Sequence, residues 1–404
     1  MRRARVGQAK RYNKTMVKLN RPHIGIFGRM NVGKSSLINA LTGQETALVA
    51  AVPGTTTDPV KKIMEILGIG SVTLVDTAGL DDVSDLGPQR VAKTQEALRQ
   101  CDLALIVFAD AFGSYEKELA AQCRAQHTPF FFVHNKSDLF PAVAPELEGT
   151  EVVEFSCRGA DTADLLSAIL RTLPPNAYAP DDIFGGLVGE NDEVVLVMPI
   201  DASAPEGRII LPQVQAVRGL LDVRAVGICL QPSQLAGWLK KHTPQLVVTD
   251  SQAFAQVSAW VPPQVPLTSF SILFSRLKGD FGLFLQGTPQ IDHLQDGDRV
   301  LILESCSHSV NKCDDIGRVK IPAWLQKKTG KKLQFEVLAN LDPLPENLAD
   351  YKLAIQCGGC MVTRRQILNR VARLAAAGVP VSNYGMSIAW CTGIFDRVTE
   401  IFRR

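Results

Sequence analysis

No run of apolar residues in this chain approaches the ~20 needed to cross a bilayer as a helix. The longest apolar stretches, such as "LALIVFA", have the length of buried strands. Residues 1–21 also lack the apolar central region of a secretory signal, although an Arg-rich, acid-free start resembles an organellar transit peptide. There is no repeat at solenoid period and no low-complexity tract. Nine cysteines in 404 residues are too few and too dispersed for a secreted disulfide framework. They read as reduced thiols, some free to bind metal, and the expected compartment is the cytoplasm. The protein is expected to be soluble, with no membrane partner.

An excess of positive charge is missing as well. The formal net charge is +2, but "MRRARVGQAKRYNKTMVKLNR" holds eight Lys or Arg and no acid, leaving 35 basic against 41 acidic residues elsewhere. A mildly acidic body argues against nucleic acid as the main partner, and the basic arm reads as a solvated tail. With 46% apolar and 21% charged residues over this length, two or three globular domains are expected.

From His23 to about residue 172, nearly continuous apolar runs alternate with helical patterns. The predicted strands are "HIGIFG", "SVTLVD", "LALIVFA", "PFFFVHN" and "VVEFS". Such runs suit strands covered on both faces of a parallel sheet. "KSSLINALTG" predicts a helix closed by Gly43. After a Pro-, Asp- and Gly-rich linker at 173–186, the βα rhythm resumes in a middle domain, 187–265, and a third domain, 266–404. The fold expected is α/β, a P-loop domain over 22–172 followed by two smaller α/β domains.

"GRMNVGKSS" places Gly28, Gly33, Lys34 and Ser35 in the G-x-x-x-x-G-K-[ST] pattern, between an apolar strand and an amphipathic helix. The loop amides of Asn31, Val32 and Gly33 and the helix N-terminus, through Ser36, are suited to phosphates. Lys34 would hold phosphate charge, and the Ser35 hydroxyl would coordinate Mg²⁺. "DTAG" ends a strand, where Asp76 can reach Mg²⁺ and the Gly79 amide can sense the γ-phosphate. "PGTTTDP" supplies a switch threonine, Thr56, as a third Mg²⁺ ligand. In "NKSD", Asn135 and Lys136 shape a base pocket, and Asp138 can accept two hydrogen bonds that guanine offers and adenine does not. "SCRG" places Ser156 and Cys157 for backbone contact with guanine O6. Five motifs in order identify GTP binding and hydrolysis, with Lys34, Asn31, Thr56, Asp76 and Gly79 as the catalytic set.

Residues 22–172 resemble the TrmE–Era–EngA group of Ras-like GTPases, through "PGTT" and "DTAGL". Ras-like proteins carry a water-orienting glutamine after DTAG; here Leu80 stands there and cannot act so. Asn31 resembles the P-loop residue that helps hold K⁺ in potassium-activated members. The resemblance implies slow, K⁺-stimulated hydrolysis.

The third domain carries "ESCSHSV" after the strand "RVLILES" and "CGGC" after the strand "YKLAIQ". Cys306, His308, Cys357 and Cys360 would converge if those strands are neighbours, because open α/β sheets place ligands at strand carboxyl ends. A Cys₃His set suits structural zinc. The thiolates also suit an iron–sulfur cluster with an open fourth position. A dithiol redox pair and ordinary buried thiols are the remaining readings. The Gly358–Gly359 pair would let backbone amides approach cluster sulfides. Cys101, Cys123, Cys157, Cys229 and Cys391 are expected in or near the core, and Cys313 in a loop.

A GTPase of this group followed by C-x-H and C-x-x-C resembles the HydF family, the maturation GTPases of (FeFe)-hydrogenase, along nearly the whole chain. The resemblance implies a 4Fe–4S cluster on Cys306, Cys357 and Cys360, with an exchangeable fourth site near His308. It implies a homodimer through the middle domain. It also implies a carrier role, in which a di-iron precursor built with two radical-SAM maturases passes to apo-hydrogenase. The competing reading is a TrmE- or Era-like GTPase of RNA modification or ribosome assembly with a structural zinc site.

Overall fold

The computed structural model describes residues 21–43, 60–77, 87–141, 150–158, 161–178, 182–200, 209–305, 315–339, 342–360 and 362–403. The chain forms two compact units, Met1–Pro180 and Asp181–Arg404. Of the expected site residues, Thr56, Gly79, Cys306 and His308 lie outside the described residues, as do Leu80, Cys313 and nearly all of the basic arm.

The first unit is built on a six-stranded sheet ordered β2-β3-β1-β4-β5-β6. Its strands are β1 (His23–Phe27), β2 (Val60–Ile66), β3 (Gly70–Asp76), β4 (Leu103–Phe108), β5 (Phe130–Asn135) and β6 (Val152–Phe155). Five match the apolar runs of the sequence and pair in parallel. All six residues of β4 are buried, as a central strand covered on both faces requires. The unforeseen strand is β2, which pairs antiparallel with β3. Its sequence "VKKIMEI" interleaves charged with apolar residues, and Ile63 stays 58% exposed. An edge strand with one wet face lacks the continuous apolar run that marks its neighbours.

The second unit holds two four-stranded, all-parallel sheets. One is ordered β10-β9-β7-β8, from β7 (Glu193–Val197), β8 (Val226–Leu230), β9 (Leu246–Thr249) and β10 (Leu267–Ser269). The other is ordered β12-β11-β13-β14, from β11 (Arg299–Leu303), β12 (Gln334–Leu338), β13 (Tyr351–Gln356) and β14 (Val381–Asn383). The first sheet thus reaches past residue 265, and one apolar core, including Val195, Val247, Leu301 and Ile355, is shared by both sheets.

These two sheets have the same connectivity. The last-numbered strand of each is an edge beside its third, the first strand is inside, and the second is the opposite edge. The likeness extends to sequence: "VPLTSFSILFSRLKGDF" at 265–281 and "VPVSNYGMSIAWCTGIF" at 379–395 align without a gap. Each begins with the sheet's last strand and runs into a helix, Phe270–Lys278 or Tyr384–Cys391, capped by Ser269 or Asn383. The two helices meet where Gly385 donates its N–H to Ser271 Oγ at 3.1 Å. The halves also exchange their following helices: Phe281–Gly287 packs on β14, and Phe395–Thr399 packs on β10. The second unit is a duplicated βα module folded as an interlocked pair.

Candidate functional site

In the first unit, β1 ends at Phe27 and the chain wraps from Gly28 to Gly33 before the helix Lys34–Thr42, which closes at Gly43 as the sequence predicts. Gly33 has φ 93°, and a Cβ there would stand 2.3 Å from Asn135 Nδ2. Only glycine fits this junction of phosphate loop and base motif. Lys34 is buried and donates from Nζ to the main-chain oxygens of Gly28 at 2.6 Å and Arg29 at 2.9 Å. Its ammonium is thereby held inside the loop, where β- and γ-phosphates would displace those carbonyls.

Ser35 Oγ donates to Asp76 Oδ2 at 3.0 Å. The two side chains expected on Mg²⁺ therefore meet at the carboxyl ends of adjacent strands β1 and β3, although they are 41 positions apart. Thr77, next in the DTAG motif, donates its hydroxyl to Ile26 O at 2.5 Å and ties that motif to β1.

The base motifs dock on the same edge. Asn135 Nδ2 donates to Val32 O at 2.8 Å, and Lys136 Nζ donates to Asn31 O at 2.8 Å. Asn31 and Lys136 both have left-handed backbones, at φ 65° and 59°. Ser156 Oγ donates to Asp138 Oδ1 at 2.6 Å, and Arg158 Nη1 lies 4.0 Å from Asp138 Oδ2. The Cys157 thiol donates to Asn135 Oδ1 at 3.6 Å, and burial pushes its pKa up, keeping it a neutral donor. The structure thus brings Gly28, Asn31, Val32, Gly33, Lys34, Ser35 and Asp76 together with Asn135, Lys136, Asp138, Ser156 and Cys157, and Ser36 lies in the first turn of the helix Lys34–Thr42.

Sequence reading overlooked Arg29 and Glu116. Arg29 Nε donates to Glu116 Oε1 at 2.8 Å, and Glu116 Oε2 accepts from Gly113 N at 2.8 Å. Glu116 has no exposed side-chain surface, so the phosphate loop is braced by a buried carboxylate 87 positions away. No motif signals it; only the packing does. His134, fully buried, stacks on Phe108 and bonds Glu154 and Ala109 O, a structural role.

In the second unit β11 and β13 are parallel neighbours, with Leu303 opposite Gln356. Cys357, directly after Gln356, and Ser305, two residues after Leu303, leave the sheet side by side. Cys357 Sγ accepts from Ser305 N at 3.0 Å, Gly359 N at 3.4 Å and Gln356 Nε2 at 3.8 Å. Three N–H groups are aimed at one buried sulfur, an arrangement that would also suit a metal-bound thiolate. Cys360 is half-buried against the cluster containing Phe274. Among the described residues no three His, Cys, Asp or Glu side chains form a metal-binding group. The donor chemistry at Cys357 and Cys360 fits zinc and an iron–sulfur cluster alike.

One of the glycines between these cysteines is required by the local backbone itself. Gly359 has φ 66°, and a Cβ on it would stand 2.2 Å from Ile367 Cδ1. Its N–H turns onto the Cys357 sulfur, so it shapes the thiolate turn itself. Cys101 and Cys123 are core residues as expected, but Cys229 is exposed on the outer strand β8, because an edge strand leaves its residues uncovered.

Three family models match the chain. Residues 23–136 match "50S ribosome-binding GTPase", residues 183–279 "Hydrogen maturase F dimerization domain" and residues 282–401 "Hydrogen maturase F tetramerization domain". The tRNA modification GTPase MnmE of Nitrosomonas europaea is 40% identical over 36% of this chain and 34% of its own length. That of Synechococcus sp. is 41% identical over 30% of this chain and 26% of its own. The chain thus spans about a quarter to two-fifths of the length of the curated relatives it matches. Among solved structures, the G domain of the T. maritima FeoB iron transporter is 21% identical, covering 38% of this chain and 99% of that one with a TM-score of 0.31. The first unit is a P-loop GTPase domain. Two adjoining models of a single maturase together take in more than half of the 404 residues, and the chain belongs to the hydrogen maturase F family.

Proposed function

We propose that this protein is a GTP-hydrolysing scaffold that holds a 4Fe–4S cluster and delivers a di-iron precursor to apo-(FeFe)-hydrogenase. The observation that carries the reading is the Cys357 sulfur, set among three N–H donors on a chain whose second unit matches the hydrogen maturase F models. Cys357 and Cys360 would hold the cluster with Cys306, and His308 is the candidate for the fourth position. When bound, the cluster supplies an exchangeable iron site. Ser305, Gln356 and Gly359 fix the Cys357 sulfur and stabilise its charge.

In the GTPase unit, Lys34 and the loop amides would hold the phosphates, while Ser35, Asp76 and Thr56 would hold Mg²⁺. Asp138 would select guanine once its contacts to Ser156 and Arg158 open. With Leu80 in place of a water-orienting glutamine, turnover would be slow and would depend on K⁺ held beside Asn31. GTP state would act as a switch on partner contacts, not as the energy source for cluster assembly. A homodimer is part of the reading. The edge strand β8 supports it: Val226 is 47% exposed, and the nearby Leu221 is 66% exposed. The partners would be apo-hydrogenase and two radical-SAM maturases, in the cytoplasm.

The test is separability. Lys34→Met should abolish GTP turnover and leave iron bound; Cys357→Ser should lose iron and leave turnover intact. Loss of both properties in either folded variant contradicts the modular scaffold.

A further inference from the structure

The first two residues of the phosphate loop are both held by β4 and the segment that follows it. Gly28 runs against the main chain of β4, where a Cβ on it would stand 2.2 Å from Val107 O. Arg29 then turns its side chain onto residues 110–116, the entry to the helix Ser114–Ala125. Its Nε donates to Glu116 Oε1 at 2.8 Å, and its Nη2 donates to Ala111 O and lies 3.7 Å from Asp110 Oδ1. The main-chain oxygen of the same residue accepts from Lys34 Nζ at 2.9 Å. Arg29 therefore joins the buried carboxylate of Glu116 to the ammonium that would meet the phosphates.

Glu116 is more than a helix cap. A cap needs one carboxylate oxygen, and Oε2 fills that role by accepting from Gly113 N at 2.8 Å. Capping calls for no burial, yet the Glu116 side chain is 0% exposed, and its other oxygen takes Arg29. A buried carboxylate is costly unless it is paired and hydrogen-bonded. Here both oxygens are bonded, so the pair is a fixed point to which the loop is attached. The same segment reaches the base side of the site. Ala109 O bonds His134 Nε2 at 2.8 Å, and Asn135, the next residue of β5, donates to Val32 O. Residues 109–116 thus border both ends of the nucleotide site without carrying a nucleotide motif.

We propose that Arg29 and Glu116 are positioning residues for the nucleotide: their ion pair preorganises the phosphate loop, and with it the carbonyl that aims Lys34, before GTP or GDP arrives. Ordering the loop on folding removes that cost from binding, and the gain appears as affinity. The loop serves the β-phosphate that both nucleotides carry, so the effect falls on both, and on KM rather than kcat. The role rests on nucleotide binding by the first unit and on nothing in the second.

The test is a double-mutant cycle in the full-length chain, read by titration with a fluorescent GDP, with GTPase kinetics and thermal melts alongside. Glu116→Gln, which keeps the shape and removes the charge, and Arg29→Met should each weaken GDP binding by about tenfold. KM for GTP should rise by the same factor, while kcat stays within about twofold of wild type. The double variant should bind about as well as the weaker single variant, because the pair acts as one element. A brace for the fold alone predicts lower melting temperatures with wild-type affinity well below the melt, and that result overturns the proposal. A loss of about a hundredfold in the double variant also overturns it, since the two residues would then act independently. If Arg29→Met does not fold, Glu116→Gln alone decides, by the same split between affinity and melting temperature. A wild-type protein that binds no GDP overturns the nucleotide site itself, whereas wild-type binding with unchanged variants overturns only the role of the ion pair.

Discussion

Lys136 and Asn31 are 105 positions apart, yet the ammonium of one donates to the main-chain oxygen of the other at 2.8 Å. The contact fixes the base-reading strand end to the phosphate loop, so the two ends of a guanine nucleotide are recognised by one connected surface. Lys136→Met should weaken GTP binding by about tenfold, the worth of a charge-assisted hydrogen bond. Titration with a fluorescent GTP analogue checks it. Unchanged affinity would mean that the bond is incidental.

A second expectation concerns the brace behind the loop. Glu116→Ala leaves the guanidinium of Arg29 and the N–H of Gly113 without their carboxylate. The GTPase unit should lose about 1–3 kcal/mol of stability. Denaturant unfolding followed by Tyr and Trp fluorescence or circular dichroism should show the GTPase transition moving and the second unit's staying in place.

The third is a dependence on pH. His23 opens β1, and burial, with the positive charge of Lys61 next, lowers its pKa to about 4. In the unfolded chain it titrates near the ordinary 6.5. Between these values the unfolded state binds the extra proton, so stability falls as the pH drops from 6.5 towards 4. His23→Gln should flatten that part of the profile in thermal melts taken at constant ionic strength. A variant as acid-sensitive as wild type would assign the loss to other groups.

The fourth concerns the alkali cation. GTP turnover in K⁺ should exceed that in Na⁺ at equal ionic strength, and Asn31→Ala should remove the difference. Equal rates in the two salts would count against a cation beside Asn31.

Much of this was legible in the residues. The parallel strands of the first unit are continuous apolar runs, and the GTPase motifs name their own partners because each sits at a strand end. Ser35 meets Asp76, as two residues expected on one Mg²⁺ should. What the sequence did not disclose depends on packing between distant segments. Strand β2 is half wet and so lacks the run of its neighbours. Strands β10 and β14 have three residues each, too short for a periodic signal, and the duplication appears only once their shared connectivity is seen. Lys278 reads as an ordinary basic residue near a helix C-terminus. Only burial and its two carbonyl partners reveal its reach into the cysteine turn.

We propose that the cysteine turn holds an iron–sulfur cluster on the same chain as the GTPase. The most direct test is iron, sulfide and zinc analysis with EPR on protein purified and reconstituted without oxygen. The account predicts about four irons and four sulfides per chain, with a signal on reduction that Cys357→Ser abolishes. A colourless protein with one tightly held zinc and no iron would contradict it.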